Sequence, residues 1–207
     1  MESDYKIILA SNSPRRRELL AGLGLAFEVR VLEGVDERYP ASLPADDVAE
    51  YIAAEKAEAY RSVMQPDELL ITADTVVICD GEVLGKPVDE TDACRMLRQL
   101  SGKTHHVVTG VCLTTTTAQR RFSVTTEVTF KKLTDNEIHY YVDNYHPLDK
   151  AGAYGIQEWI GYIGCTGLRG SYYNVMGLPV QRIYTELAIL VKSEESSFAR
   201  EKVINDK

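Results

Sequence analysis

The chain has 207 residues, 31 of them acidic and 23 basic, for a formal net charge of −8. Its 44% hydrophobic and 26% charged content is that of a globular protein with a core, which excludes a disordered chain. The acidic balance argues against nucleic acid or an anionic membrane as the main partner, so any anionic ligand must be met by a local basic cluster.

The first residues, Met1-Glu2-Ser3-Asp4-Tyr5-Lys6, are acidic, and the apolar run Ile7-Ile8-Leu9-Ala10 is too short for a secretory leader. Residues 7–10 read as a buried strand. Ser13 is the N-cap and Pro14 the first residue of a helix reaching about Gly22. Residues 27–32 read as a strand, and 44–60 as a helix with Asp46 and Asp47 in the first turn, where the helix dipole favours them. Val48, Ala49, Ile52 and Ala59 mark the inward arc of that helix, and Lys56 falls inside it. Residues 69–79 form a β-rich run closed by the two-residue turn Asp80-Gly81, with 82–85 returning. Asp89 or Thr91 caps a helix carrying Ala93, Met96, Leu97 and Leu100, which Gly102 ends.

Residues 107–117 and 122–133 read as two long strands around Ala118-Gln119-Arg120. Thr134-Asp135-Asn136-Glu137 is a capping box whose helix buries Ile138, Tyr141, Val142 and Tyr145 before Pro147 stops it. Seven of the 14 glycines fall between 152 and 177, a density that fits tight turns and close backbone approach. Pro179 starts a last helix with Ile183, Leu187, Leu190 and Val191 inward, and the residues from Lys192 onward read as a frayed charged tail. The aliphatic run 187–191 is far short of a membrane span. Cys79, Cys94, Cys112 and Cys165 are widely spaced and read as reduced thiols of a cytoplasmic protein. The pattern predicts one domain over residues 1–207 of α/β (or α+β) class: a mixed, twisted sheet flanked by helices, in two lobes around a cleft.

Several positions stand out chemically. Arg15 and Arg16 sit in a helix's first turn and oppose its dipole, at a cost of about 0.3–1 kcal/mol each; a bound anion reverses that sign. Lys56 on an inward face must snorkel or find an anion. Asp74 lies in a run fit for a central strand, where an ionised carboxylate needs a cation, a metal or several hydrogen bonds. Counting out from Asp80-Gly81, Thr75 faces Lys86, so a bulge at Gly85 brings Lys86 to Asp74; the plain alternative is a structural Asp74–Lys86 ion pair. Asp36-Glu37 offers a second carboxylate. His105 and His106 are adjacent on a strand, point to opposite faces and receive no catalytic role.

In order along nearly the whole chain, a set of segments resembles the Maf-like nucleoside triphosphate pyrophosphatases. They are Leu9-Ala10-Ser11-Asn12-Ser13-Pro14-Arg15-Arg16, Ala54-Glu55-Lys56-Ala57, Ala73-Asp74-Thr75-Val76-Val77, Gly85-Lys86-Pro87, Ser101-Gly102-x-x-His105, Thr109-Gly110-Val111, the run from Asp149-Lys150-Ala151 to Gly155-Ile156-Gln157, and that from Gly170-Ser171 to Leu178-Pro179. The resemblance implies hydrolysis of a nucleoside triphosphate to the monophosphate and pyrophosphate, with a divalent cation (Mg²⁺ or Mn²⁺). Asp74 takes the family's catalytic position. Arg15, Thr75 and Gln157 match the specificity positions of the branch acting on dTTP and UTP. Ser11, Arg16, Lys56 and Lys86 match phosphate-binding positions, and Glu37, with Asp36 as its alternative, joins Asp74 as a metal ligand. House-cleaning of the nucleotide pool, a cytoplasmic location and a homodimer are further expectations from the family. One departure is Gln157-Glu158-Trp159, where members often carry a small residue after the glutamine. Two other readings are a purine (ITP-type) triphosphate pyrophosphatase and a non-catalytic nucleotide-binding regulator of cell division. A triphosphate brings roughly four negative charges to an acidic chain, so the cations must gather at one place.

Overall fold

The strand Glu68–Cys79 (β3) organises the molecule, whose computed structural model describes residues 5–35 and 37–205, with side chains through residue 192. Along one edge of β3 runs Thr104–Thr114 (β5), antiparallel from Leu70↔Thr114 to Ile78↔His106. The other edge is shared. Lys6–Leu9 (β1) pairs in parallel with Glu68 to Ile71, and Glu82–Leu84 (β4) pairs antiparallel with Val77 to Cys79. Among the described residues no strand covers this edge from Thr72 to Val76. Phe27–Val29 (β2) lies beyond β1, Gln119–Phe130 (β6) beyond β5, and Cys165–Arg169 (β7) beyond β6. The result is the expected mixed sheet, seven-stranded, with parallel pairs on the β1 side and antiparallel pairs elsewhere.

Alternation along β3 feeds two faces. The helix Val48–Tyr60 (α2) covers the even-numbered face: Ala53, Ala57 and Tyr60 pack on Ile8, Leu70 and Cys112, and Val48, Ala49 and Ile52 on Val76, Ile78 and Val108. The opposite face carries two separate helix groups. Pro14–Ala21 (α1) and Val180–Asn205 (α7) pack Leu20, Ile183 and Leu187 against Leu9, Ile71 and Leu113. Glu90–Leu100 (α3), Asp135–Tyr145 (α4) and Trp159–Gly164 (α5) pack Leu97, Tyr141 and Ile160 against Val77, Val107 and Phe130. A short helix, Tyr172–Val175 (α6), bridges β5 and β6 through Asn174, whose Nδ2 donates to Val107 O at 3.1 Å and Thr126 Oγ1 at 3.0 Å. Gly110 on β5 lets α2 lie this close, because a Cβ there would fall 2.2 Å from the α2 backbone at Ala49 and Glu50.

Several boundaries differ from the sequence pattern, and side-chain hydroxyls explain two of them. The second strand stops at Val29 because Tyr60 Oη takes the Leu32 N–H at 2.8 Å and donates to Arg30 O at 3.0 Å, replacing a strand partner. The long hairpin turns at Thr115, whose Oγ1 accepts the Ala118 N–H at 2.9 Å, so β5 ends and β6 begins three residues before the expected positions, and β6 ends at Phe130 instead of reaching residue 133. β4 ends at Leu84, so no bulge at Gly85 carries the pairing to Lys86; Gly85 O instead accepts the Gly152 N–H at 3.0 Å. Ala59 and Tyr145 are exposed, and Ala53, Ala57 and Tyr60 complete the inward arc of α2 in place of Ala59. Asp89, not Thr91, caps α3, and the capping box of α4 is present. All four cysteines are free thiols. Met1–Asp4, Asp36 and the side chains of the expected charged tail after Lys192 lie outside the described residues. No helix among the described residues is long and apolar enough to cross a membrane.

Candidate active site

Polar side chains gather at the uncovered stretch of β3. Asp74 faces α2 and Thr75 faces α1, yet both reach one cavity because no strand shields the edge beside them. Thr72 Oγ1 donates to Ala53 O at 2.6 Å, which sets the register of α2 on β3. Lys56, three residues beyond Ala53, therefore lies over Asp74, two residues beyond Thr72. Its Nζ is 2.8 Å from Asp74 Oδ1 and 2.9 Å from Glu37 Oε1, with the lysine side chain only 13% exposed. The inward lysine has found two anions rather than snorkelling. The Asp74–Lys86 pair does not form: Lys86 stands at the rim, 3.9 Å from Glu37 Oε2. Burial pushes the Glu37 carboxyl up, but the Lys56 hydrogen bond and the charges of Lys56, Lys86 and Arg16 outweigh it and hold the group below its ordinary value. Asp36, the alternative carboxylate, is outside the described residues.

Across the cavity, Ser11 Oγ accepts the Ser13 N–H at 3.2 Å, and the cap Ser13 Oγ accepts the Arg16 N–H at 3.4 Å. Arg16 then spans the open strand edge. Its Nε donates to Gly177 O at 2.8 Å, Nη1 to Ala73 O at 2.8 Å and Nη2 to Thr75 Oγ1 at 3.0 Å. The guanidinium stands where the missing strand would be, and two of its five N–H groups remain for a ligand. Gly177 turns its carbonyl inward with φ at 111°, a conformation that favours glycine. Burial lowers the Arg16 pKa; Asp74 opposes that shift, Arg15 adds to it and Glu37 opposes it. Thr75 Oγ1 is also 3.0 Å from Thr109 Oγ1, which donates to Asn174 O at 3.2 Å.

Arg15 points away from Arg16, its Nη1 3.0 Å from Asp149 Oδ2. Lys150 Nζ joins Asp149 Oδ1 at 2.7 Å and Glu158 Oε1 at 3.2 Å. Tyr141 O–H donates to Glu158 Oε2, and Tyr141 Oη accepts the Gly155 N–H at 3.0 Å. Sequence reasoning did not count Asp149, Lys150, Glu158 or Tyr141 among the site residues. The Asp149-Lys150 doublet ahead of Ala151-Gly152-Ala153 was the available signal, but its partners sit on α1, on α4 and at Glu158, the N-cap of α5. Gln157 lies beside this network, its Oε1 buried and without a hydrogen-bond partner.

All nine side chains singled out from the sequence, Ser11, Arg15, Arg16, Glu37, Lys56, Asp74, Thr75, Lys86 and Gln157, line one cavity of about 620 Å³, a size suited to a small-molecule ligand. Among the described residues five basic and four acidic side chains line it, so the cations gather as expected but arrive largely paired with carboxylates. Asp74 and Glu37 converge on one ammonium, and two hard oxygen donors at one point suit a divalent cation completed by phosphate oxygens. Among the described residues no cluster of three or more His, Cys, Asp or Glu side chains could hold a metal. His105 and His106 are not among the lining residues.

The Maf-like protein family model matches residues 6–190. Relatives named dTTP/UTP pyrophosphatase include those of Phocaeicola vulgatus, 66% identical over 183 residues (88% of this chain, 95% of the relative), and Bacteroides thetaiotaomicron, 62% identical over the same shares. That of Porphyromonas gingivalis is 58% identical over 185 residues, covering 88% of this chain and 93% of its own. The matched span runs from β1 into α7 and takes in every residue of the cavity, and the chain belongs to the Maf-like protein family.

Proposed function

We propose that this protein hydrolyses dTTP and UTP to the nucleoside monophosphate and pyrophosphate, a cytoplasmic house-cleaning activity on the nucleotide pool. The observation that carries the reading is the Asp74 carboxylate, fixed by Lys56 at 2.8 Å inside a cavity otherwise rich in cations. Water attacks the α-phosphorus and the bridging P–O bond to the β-phosphate breaks. Asp74 orients that water and accepts its proton. Arg15, Lys86 and the two remaining N–H groups of Arg16 hold the phosphates, with Ser11 beside the first turn of α1, and their charge stabilises the departing pyrophosphate. Lys56 exchanges a carboxylate for a phosphate oxygen as the substrate enters. Asp74 and Glu37 would hold a divalent cation, Mg²⁺ or Mn²⁺, which neutralises phosphate charge when bound. Thr75 and Arg15 shape the sugar and phosphate side, and Gln157 meets the pyrimidine edge.

Pyrophosphate release from a panel of canonical and modified triphosphates with Mg²⁺ tests this reading. UTP and dTTP should be the best substrates. A preference for ITP would favour the purine reading, and binding without turnover would favour the regulatory one. Asp74→Asn should lower kcat by about 10²–10⁴-fold, the usual range for loss of a general base, with an unchanged melting transition. Near-normal turnover in that variant overturns the assignment.

A further inference from the structure

We propose that Asp149 is a positioning residue for substrate binding, holding the Arg15 guanidinium in place at the cavity wall; this rests on the nucleoside-triphosphate reading above. The first turn of α1 carries Arg15 and Arg16 and no acidic side chain, a placement the helix dipole disfavours. Arg16 is fixed by its three acceptors. Arg15 has a single side-chain partner among the described residues, Asp149 Oδ2 at 3.0 Å, 134 positions along the chain. Asp149 is itself held. It closes the single turn Pro147–Asp149 after α4, and its Oδ1 accepts from Lys150 Nζ at 2.7 Å. The Lys150 side chain is only 9% exposed and its Nζ also lies 3.2 Å from Glu158 Oε1, so this anchor is not free to swing. Each oxygen of Asp149 therefore faces one cation. Burial pushes the carboxyl up, but the hydrogen bonds and charges of Lys150 and Arg15 outweigh it and hold the group below its ordinary value, ionised at neutral pH.

The count of donors separates holding from blocking. One contact engages one of the five N–H groups of Arg15, so four are left for phosphate oxygens and a substrate need not displace Asp149. Lys150 shares the charge of Asp149, which leaves Arg15 only partly neutralised and the wall still attractive to an anion. An unrestrained arginine gives up much rotamer freedom when it binds, and one already held by a carboxylate gives up less. Asp149 acts through Arg15 and touches no phosphate, which its own charge would repel.

The test measures KM for UTP, beside melting curves, on the wild type, Asp149→Ala, Asp149→Asn, Arg15→Ala and the double variant Arg15→Ala/Asp149→Ala. The Asp149 side chain is 58% exposed and Lys150 keeps Glu158 as a partner, so its removal leaves no buried charge unpaired. The melting temperature should accordingly move by no more than about 3 °C. KM should rise by about threefold or more in Asp149→Ala, the scale of one partly exposed ion pair. Asp149→Asn, which keeps an oxygen for Arg15, should recover part of that loss. In the Arg15→Ala background, Asp149→Ala should leave KM unchanged or lower it, because only a negative charge is then removed. A KM that falls in Asp149→Ala would show the carboxylate blocking Arg15 and overturns the proposal; an equal rise in both backgrounds marks a merely structural role and overturns it too. Should Asp149→Ala fail to fold, Asp149→Asn carries the test, and a KM at or below the wild-type value there overturns it equally. A wild type that hydrolyses neither UTP nor dTTP removes the functional reading itself, an outcome distinct from an active enzyme whose KM ignores Asp149.

Discussion

Arg16 gives three of its five N–H groups to Ala73 O, Thr75 Oγ1 and Gly177 O, so it builds the site as well as charging it. A guanidinium suits this because its fork reaches several acceptors in one plane, which an ammonium cannot. Arg16→Lys should therefore strand two carbonyls, each at about 1–3 kcal/mol when buried. For a chain of this length that lowers the melting temperature by about 5 °C or more. Lys86, exposed at the rim, is the control: Lys86→Ala should weaken nucleotide binding while the melting curve stays in place. Equal melting curves for the two variants would show that Arg16 is only a ligand. In the sequence Arg15 and Arg16 look alike, two cations in one helical turn. The acceptors that separate them are backbone carbonyls 57 and 161 residues away from Arg16, which no side-chain pattern announces.

At the level of elements, the strand and helix periods of β3, α2 and α4 were legible because each buries one continuous face. Boundaries failed where a hydroxyl took over backbone work, as Tyr60 does after β2 and Thr115 does after β5. The placement of α2 was not legible, since it depends on Gly110 having no side chain and on one hydrogen bond from Thr72 to Ala53. Gly110→Ala tests that placement. The added carbon would fall 2.2 Å from backbone atoms of α2, which cannot rotate away as a side-chain tip can. The helix must lift, at a cost of about 1–3 kcal/mol or more, and Lys56 moves with it. Since a shift of about 1 Å in a positioning group can cost on the order of 10²-fold in rate, turnover should fall further than stability alone accounts for. Gly85→Ala, with nothing within 4 Å of the new carbon, should leave the melting temperature unchanged. A Gly110→Ala protein with wild-type turnover and melting would refute this account of how α2 is set.

For the whole molecule, a net charge of −8 was enough to infer that cations must converge. It could not show that they would be paired in advance, nor that β1 and β4 would leave the stretch of β3 between them open to the cavity. The charge balance also leaves one buried group working against acid. His105, 1% exposed, packs against the rings of Phe130 and Tyr154 at 5.1 and 5.4 Å; its Nε2 lies 2.8 Å from Tyr154 Oη and its Nδ1 has no partner. A proton added to this ring has no acceptor at Nδ1, and burial, reinforced by His106, pushes the pKa down to about 4. In the unfolded chain the same group titrates near its ordinary value of 6.5. Between these values the unfolded chain binds the proton and the folded chain does not, so the stability is full above the unfolded value and drains as the pH falls. The total is on the order of 3 kcal/mol, most of it lost before pH reaches the ordinary carboxylate value of 4.5. Glu68 and Glu186, both held below that value, lose their contributions only at lower pH, as it falls through their own folded-state values. Urea unfolding at pH 6.5, 5.5 and 4.5 isolates the histidine, and the slope seen in the wild type should flatten in His105→Gln, which keeps a polar partner for Tyr154. An unchanged slope in that variant would place the acid sensitivity elsewhere in the molecule.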